Sequence, residues 1–215
     1  ENPNQNAYLI KNTKKSVFEF QISGKKLSYN NLIDLDSGLR CLKEFKDPTS
    51  IILKHTNPCG VASAKNIETA FIKSYRCDSK SAFGGIIFLN RKVGLNLAKK
   101  ISENFFEMIV ATSFDKNAIN ILKKKNNLIL LKLPITKIQN KDYKSTLFGE
   151  INQTKDFTPI NKNFITLASK KKTSLKFIDD VLFSLKVVKH LKSNAIVLSN
   201  NKQTIGLGHG QTNRV

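Results

Sequence analysis

Leu53-Lys54-His55-Thr56-Asn57-Pro58-Cys59-Gly60-Val61-Ala62 sets a cation beside a titratable imidazole at the end of an apolar run. An imidazole takes and gives protons near neutral pH, and a neighbouring ammonium can stabilise developing negative charge. An adjacent Lys-His pair also arises on ordinary surfaces. The next residues favour chemistry: Pro58 fixes φ and Gly60 tolerates positive φ, so a sharp turn is predicted at Asn57-Pro58-Cys59-Gly60. Ser81-Ala82-Phe83-Gly84-Gly85 would let a ligand approach the backbone, or would simply form a tight turn before a strand. Gly206-Leu207-Gly208-His209-Gly210-Gln211 begins like a dinucleotide loop, but Gln211 stands where the last glycine belongs. Arg214 is either a bidentate phosphate clamp or a plain surface residue. Metal ligation is poorly supported, because His55, His190 and His209 fall in no HxxxH or HxE spacing and no CxxC occurs. His190 is expected to be structural. Neither a GxSxG elbow nor a Walker A loop is found, which disfavours serine hydrolases and P-loop NTPases.

The elements that must position these residues alternate in type. Asp34 to Phe45 carries Leu35, Leu39, Leu42 and Phe45 at helical spacing, Ser50 to Lys54 reads as a buried strand, and Ile67 to Tyr75 as a helix capped by Asn66. Gly85 to Leu89 is a short apolar strand, Val93 to Phe106 a helix, Met108 to Ala111 a strand, Ala118 to Lys124 a helix and Leu128 to Leu133 a strand. This order predicts layered α/β with crossover connections. Residues Ile135 to Asn163 read as loop-rich or antiparallel, a candidate junction between lobes. Thr173 to Lys192 is predicted as a long helix with Leu175, Ile178, Leu182, Leu185 and Leu191 on one stripe. A hairpin follows, from Asn194 to Ser199 and Thr204 to Gly208 around Asn200-Asn201-Lys202. No internal repeat of solenoid period is seen.

With 215 residues and 40% hydrophobic content, the chain can bury a substantial core. No apolar run approaches the roughly 18 to 20 residues that span a bilayer, and the polar start is neither a signal nor a transit peptide. Cys41, Cys59 and Cys77, odd in number and widely spaced, fit reduced thiols, so a cytoplasmic location is expected. The formal charge of +20 raises nucleic acid as a partner. Against it, only Arg40, Arg76, Arg91 and Arg214 carry guanidinium forks, and the lysines are dispersed, as solvated faces require.

Read together and in order, several motifs carry more than any one of them. They are Glu1-Asn2-Pro3-Asn4-Gln5, Leu27-Ser28-Tyr29-Asn30-Asn31, residues 53–62, Ser81-Ala82-Phe83-Gly84-Gly85-Ile86-Ile87, Lys192-Ser193-Asn194-Ala195-Ile196-Val197, Thr204-Ile205-Gly206, and Gly210-Gln211-Thr212-Asn213-Arg214-Val215. From first residue to last, the chain resembles the AICAR transformylase domain of the bifunctional purine biosynthesis proteins. The resemblance implies a cytidine-deaminase-like α/β architecture without zinc, and formyl transfer from 10-formyltetrahydrofolate to the amine of aminoimidazole carboxamide ribonucleotide. It implies His55 as proton acceptor, Lys54 as transition-state stabiliser and Asn194 as a hydrogen-bonding group at the reacting centre. Asn31, Gly84, Glu107 and Arg214 match nucleotide contacts; Phe83 and Val215 match the folate approach. The family's intertwined homodimers imply a composite site here.

Asn4 departs from the family's histidine, and His209 from its usual small residue. The chain begins without Met and lacks the family's cyclohydrolase domain and the later part of its transformylase domain. Residues 1–215 are therefore expected to be a truncated domain, weakly active or inactive alone, with an exposed apolar seam. The rival readings are a basic nucleic-acid-binding module and an inactive interaction fragment.

Overall fold

The computed structural model describes residues 5–10, 16–134, 141–156, 158–166, 168, 170, 174 and 177–213. A short 3-10 turn, Val17–Phe20, leads into β1 (Gln21–Ser23), which the sequence patterns did not suggest. Then come α1 (Tyr29–Lys43), β2 (Thr49–Lys54), β3 (Asn57–Ser63), α2 (Ile67–Cys77), the one-turn α3 (Ser79–Ala82), β4 (Ile86–Leu89), α4 (Leu95–Ser102), β5 (Met108–Ala111), α5 (Lys116–Leu122) and β6 (Ile129–Lys132). β7 (Lys141–Thr146) and β8 (Gly149–Thr154) form a separate hairpin, followed by α6 (Ile178–Val188), β9 (Ile196–Asn200) and β10 (Gln203–Gly208).

One mixed sheet runs in the order β1-β6-β5-β4-β2-β3-β10-β9. β4, β5 and β6 are parallel, each reached through a helical crossover; β2 lies antiparallel to both β4 and β3. Successive side chains of a strand point to opposite faces. Thus Ile51, Leu53, Ile86, Phe88, Met108, Val110, Ile129 and Leu131 join one core with Leu35, Leu42, Phe183 and Val187 of α1 and α6. Ile52, Ile87, Leu89, Ile109, Ala111 and Leu130 join a second core with Phe71, Leu97, Ile101 and Leu122 of α2, α4 and α5. Both faces are covered, which is why these strands read as unbroken apolar runs.

Several boundaries differ from expectation. α1 begins five residues before Asp34, because Ser28 is its cap: the Ser28 hydroxyl accepts from Asn31 N–H at 3.2 Å, and Asn31 Oδ1 accepts from Ser28 N–H at 3.1 Å. α4 is shorter than Val93 to Phe106, starting after Gly94 and leaving Phe105 and Phe106 in the following loop. The Asn66 cap holds, with its side chain accepting from Thr69 N–H at 2.8 Å. Residues 141–154 form the antiparallel pair β7–β8, and residues 135–140 lie outside the described residues. So do Thr173 and Leu175 of the long predicted helix; the helix observed there is Ile178–Val188, and Lys189 to Lys192, predicted within it, lie beyond its end. The β9–β10 hairpin forms as expected, with Asn201 and Lys202 at positive φ. Among the described residues no helix is long and apolar enough to cross a membrane.

The apolar seam runs along β9 at the sheet edge and along α6. Ile196, Leu198, Phe177, Val181 and Leu185 are all exposed there.

Candidate active site

The turn that carries Lys54 and His55 is not where proline and glycine suggested. Asn57 to Ser63 is strand, with Pro58 beside the register shift between Ile52 and Leu53 where the ladder is already irregular. The reversal is a two-residue hairpin loop made by His55 and Thr56, at φ +51° and +66°, with Lys54 and Asn57 paired beneath it. Two positive φ values match the twist of a two-residue hairpin, but glycine or asparagine is the usual occupant. An L residue held there costs about 1–2 kcal/mol. Four hydrogen bonds hold the loop. Thr56 N–H donates to Asp34 Oδ1 at 2.6 Å, and Ser37 Oγ donates to the Thr56 carbonyl at 2.8 Å. The His55 carbonyl accepts from Asn57 Nδ2 at 2.9 Å and from Thr56 Oγ1 at 2.6 Å.

Because β2 is antiparallel to β4, and β4 parallel to β5, the end of β2 and the starts of β4 and β5 share one sheet edge. That edge collects most of the predicted residues. Lys54 Nζ donates to the Phe83 carbonyl at 2.8 Å. Gly84 follows at φ +70°, a value that suits glycine, and donates its N–H to the Phe105 carbonyl at 2.9 Å. The Phe83 and Phe105 rings lie 5.1 Å apart, tilted by 44°, and are 64% and 52% exposed. Glu107, just before β5, accepts from Asn31 Nδ2 at 3.0 Å and pairs with Lys25 Nζ at 2.8 Å. Asn31 is buried beneath this pair. Lys25 was not anticipated; a lysine next to a glycine among so many lysines gives no signal.

Lys54 and His55 also line a cleft of about 340 Å³, together with Asn57, Pro58, Cys59, Cys77, Asp78, Ser81, Gly206, Leu207 and His209. Gly206 and Leu207 are therefore a strand forming one wall, not a dinucleotide loop, and His209 stands where the chain leaves β10. Asn57, also unanticipated, is buried, and its Oδ1 has no hydrogen-bond partner among the described residues. Burial pushes the Cys59 thiol up to about 12, with Asp78 and Cys77 adding to the shift, so Cys59 is a protonated wall residue and not a nucleophile. Hydrogen bonds from Ser81 hold the Asp78 carboxyl below the usual carboxylate range, leaving an anion at the rim. Among the described residues no three His, Cys, Asp or Glu side chains form a group able to hold a metal ion.

Asn194 is not among the residues lining this cleft. Its Nδ2 donates to the Gln211 carbonyl at 3.0 Å, closing the base of the β9–β10 hairpin two residues beyond His209. Arg214 and Val215 lie outside the described residues. His190, just beyond α6, has its Nε2 3.3 Å from Glu44 Oε1.

A sequence model of the family described as "AICARFT/IMPCHase bienzyme" matches residues 1–215. The chain belongs to that family. It is 43% identical over 218 residues to the "Bifunctional purine biosynthesis protein PurH" of Thermoanaerobacter sp. (strain X514), covering 100% of this chain and 43% of that protein. The protein of the same description from Caldicellulosiruptor bescii is 43% identical over 223 residues, and that from Ligilactobacillus salivarius 41% over 223 residues, with the same coverage. The chain thus spans about 43% of the length of these relatives. Among solved structures, a dCMP deaminase from the cyanophage S-TIM5 in apo form is 12% identical, with a TM-score of 0.34, covering 48% of this chain and 98% of the other.

Proposed function

We propose that these residues serve formyl transfer from 10-formyltetrahydrofolate to the amine of aminoimidazole carboxamide ribonucleotide, within a longer purine biosynthesis protein. The observation that carries the reading is the convergence on one sheet edge of the Lys54-His55 turn, the Phe83-Gly84 corner and the Asn31–Glu107 contact. We assign the layers to the cytidine-deaminase-like architecture on the same reading.

The acceptor amine is a weak nucleophile, its lone pair delocalised into the imidazole ring and the neighbouring carboxamide. As the amine attacks the formyl carbon, His55 takes its proton and Lys54 stabilises the oxyanion of the tetrahedral intermediate. The carbon–N10 bond then breaks, N10 receives a proton, and tetrahydrofolate leaves with the formylated nucleotide as the second product. Asn31, Gly84 and Glu107 hold the nucleotide, with Arg214; Phe83 and Val215 meet the folate; Asn194 orients the reacting groups. Lys54 suits its role because its Nζ is already tethered to the Phe83 carbonyl, joining the folate-facing corner to the reacting turn. The same reading makes the protein a cytoplasmic homodimer with composite sites, to be checked by sedimentation: a mass that stays monomeric at every concentration would count against it.

The direct test is formyl transfer by the full-length protein, followed through tetrahydrofolate appearance, beside its His55→Ala and Lys54→Ala variants. Removing the general base should cost on the order of 100- to 10,000-fold in kcat, with nucleotide binding retained. A His55→Ala protein that turns over like the parent refutes the assignment. Residues 1–215 alone should be weakly active at most, and robust turnover by them would overturn that part of the reading.

A further inference from the structure

We propose that Asp34 and Ser37 of α1 are positioning residues that aim the His55 imidazole, so that one helix couples the nucleotide contacts to the reacting turn. The proposal rests on the reading of His55 as proton acceptor.

Among the described residues no side chain hydrogen-bonds the His55 ring, so the ring is aimed by its own backbone. That backbone is the two-residue loop at positive φ, and Thr56 is β-branched, a residue type that rarely occupies this region. Left alone, such a loop would relax toward other conformations and carry the imidazole with it. The half-buried Asp34 and Ser37 prevent this by gripping both backbone polar groups of Thr56, its N–H and its carbonyl. The Asp34 contact is charge-assisted, roughly twice as strong as a neutral hydrogen bond.

α1 is itself fixed at both ends of this span. Asn31, Asp34 and Ser37 recur every third residue, so they lie along one slanted stripe of the helix about 9 Å long. At the first end Asn31 is held by the Ser28 capping box and by Glu107. At the second, Gly38 lets the helix sit directly on the sheet: a Cβ there would fall 2.2 Å from the Phe88 ring. A helix locked to Glu107 on one side and to Thr56 on the other fixes the spacing between a nucleotide contact and the base. Misplacement by about 1 Å can cost on the order of 100-fold in rate, so this spacing has kinetic weight.

The test uses the full-length protein with Asp34→Ala, Asp34→Asn, Ser37→Ala and His55→Ala. Two readouts are followed: steady-state kinetics across pH, and the imidazole resonances of isotope-labelled His55. Asp34→Ala should lower kcat roughly 10- to 100-fold while the nucleotide KM moves less than about threefold, because the displaced group acts in the chemical step and not in binding. Asp34→Asn keeps an acceptor of the same shape and should stay within about threefold of the parent. The His55 resonances should shift in Asp34→Ala and Ser37→Ala and stay near the parent's in Asp34→Asn. Unmoved His55 resonances in both Asp34→Ala and Ser37→Ala would overturn the positioning role whatever the activities. Shifted resonances together with a fully active His55→Ala would instead uphold the positioning and sink the assignment of His55 as base.

Discussion

Replacing Gly60 by alanine should destabilise the protein, although glycine-to-alanine changes in regular backbone ordinarily stabilise. Gly60 lies inside β3, next to the cleft residue Cys59, in backbone that alanine can adopt. A Cβ built there would stand 2.0 Å from the Ser74 carbonyl oxygen and 2.9 Å from its carbon. That obstacle is main chain of α2 and cannot rotate away. Ser74 is further anchored by its hydroxyl, which lies 2.8 Å from Ser50 Oγ and donates to the Phe71 carbonyl at 2.9 Å. To restore contact distance, α2 must retreat by more than about 1 Å, loosening Ala70 and Phe71 in the second core. Overpacking of this kind costs about 1–3 kcal/mol; with a rigid obstacle the upper end applies. The reduced freedom of the unfolded chain returns about 0.4–1 kcal/mol, leaving a net loss of about 2 kcal/mol. For a chain of this size that is a fall in Tm of about 4–8 °C, measurable by calorimetry or circular dichroism. Gly206→Ala is the internal control. Its Cβ would meet only the Leu198 side chain, at 3.5 Å or more, so stability should hold or rise by up to about 1 kcal/mol. If Gly60→Ala were as stable as the parent, or if both variants moved in the same direction, the close approach of α2 to β3 would be wrong.

Two further outcomes follow from the same structure. Truncating Phe83, whose exposed ring lies against Phe105, should weaken folate binding about tenfold with nucleotide affinity nearly unchanged, as read by calorimetric titration of each. Equal losses for both ligands would contradict a folate-facing role. At the far end of α1, burial opposes ionisation of Glu44, but hydrogen bonds from His190 and Lys189 outweigh it and hold the carboxyl below its usual range. A depressed folded-state value adds stability above the ordinary glutamate range, and that contribution is lost as pH falls through the folded value. Urea midpoints should therefore drop more steeply on acidification for the parent than for Glu44→Gln, and the two curves should converge in acid. Parallel curves would show that Glu44 does not contribute.

How much was legible in the sequence depended on how local the cause was. Met108 to Ala111 was read without error because a strand buried on both faces must be wholly apolar, and burial is encoded residue by residue. Asn66 was recognised as a cap because capping is decided within three residues. The start of α1 was missed because Asn30 and Asn31 look like loop; Asn31 is helical only because it closes a box with Ser28 and meets Glu107, 76 positions away. The turn that carries Lys54 and His55 departs from its expected place for a related reason. Proline and glycine ordinarily signal a turn, whereas here Pro58 sits at a ladder irregularity and Gly60 makes room for α2. His55 and Thr56 adopt positive φ under the hold of Asp34 and Ser37, about twenty residues earlier, which no local propensity records.

By itself the sequence determined the family, the alternation of elements and the chemical types at the site: an imidazole beside an ammonium, a glycine corner and a carboxylate. These follow from residue identity and short spacing. The tertiary structure decided which of them meet. The strand order β5-β4-β2-β3-β10 brings Glu107, Gly84, Lys54 and His55 to one edge and supplies Leu207 and His209 as the facing wall. The physical reason is that neighbours in a sheet are chosen by long-range pairing and by the helices that cover its faces, and both act between residues far apart along the chain.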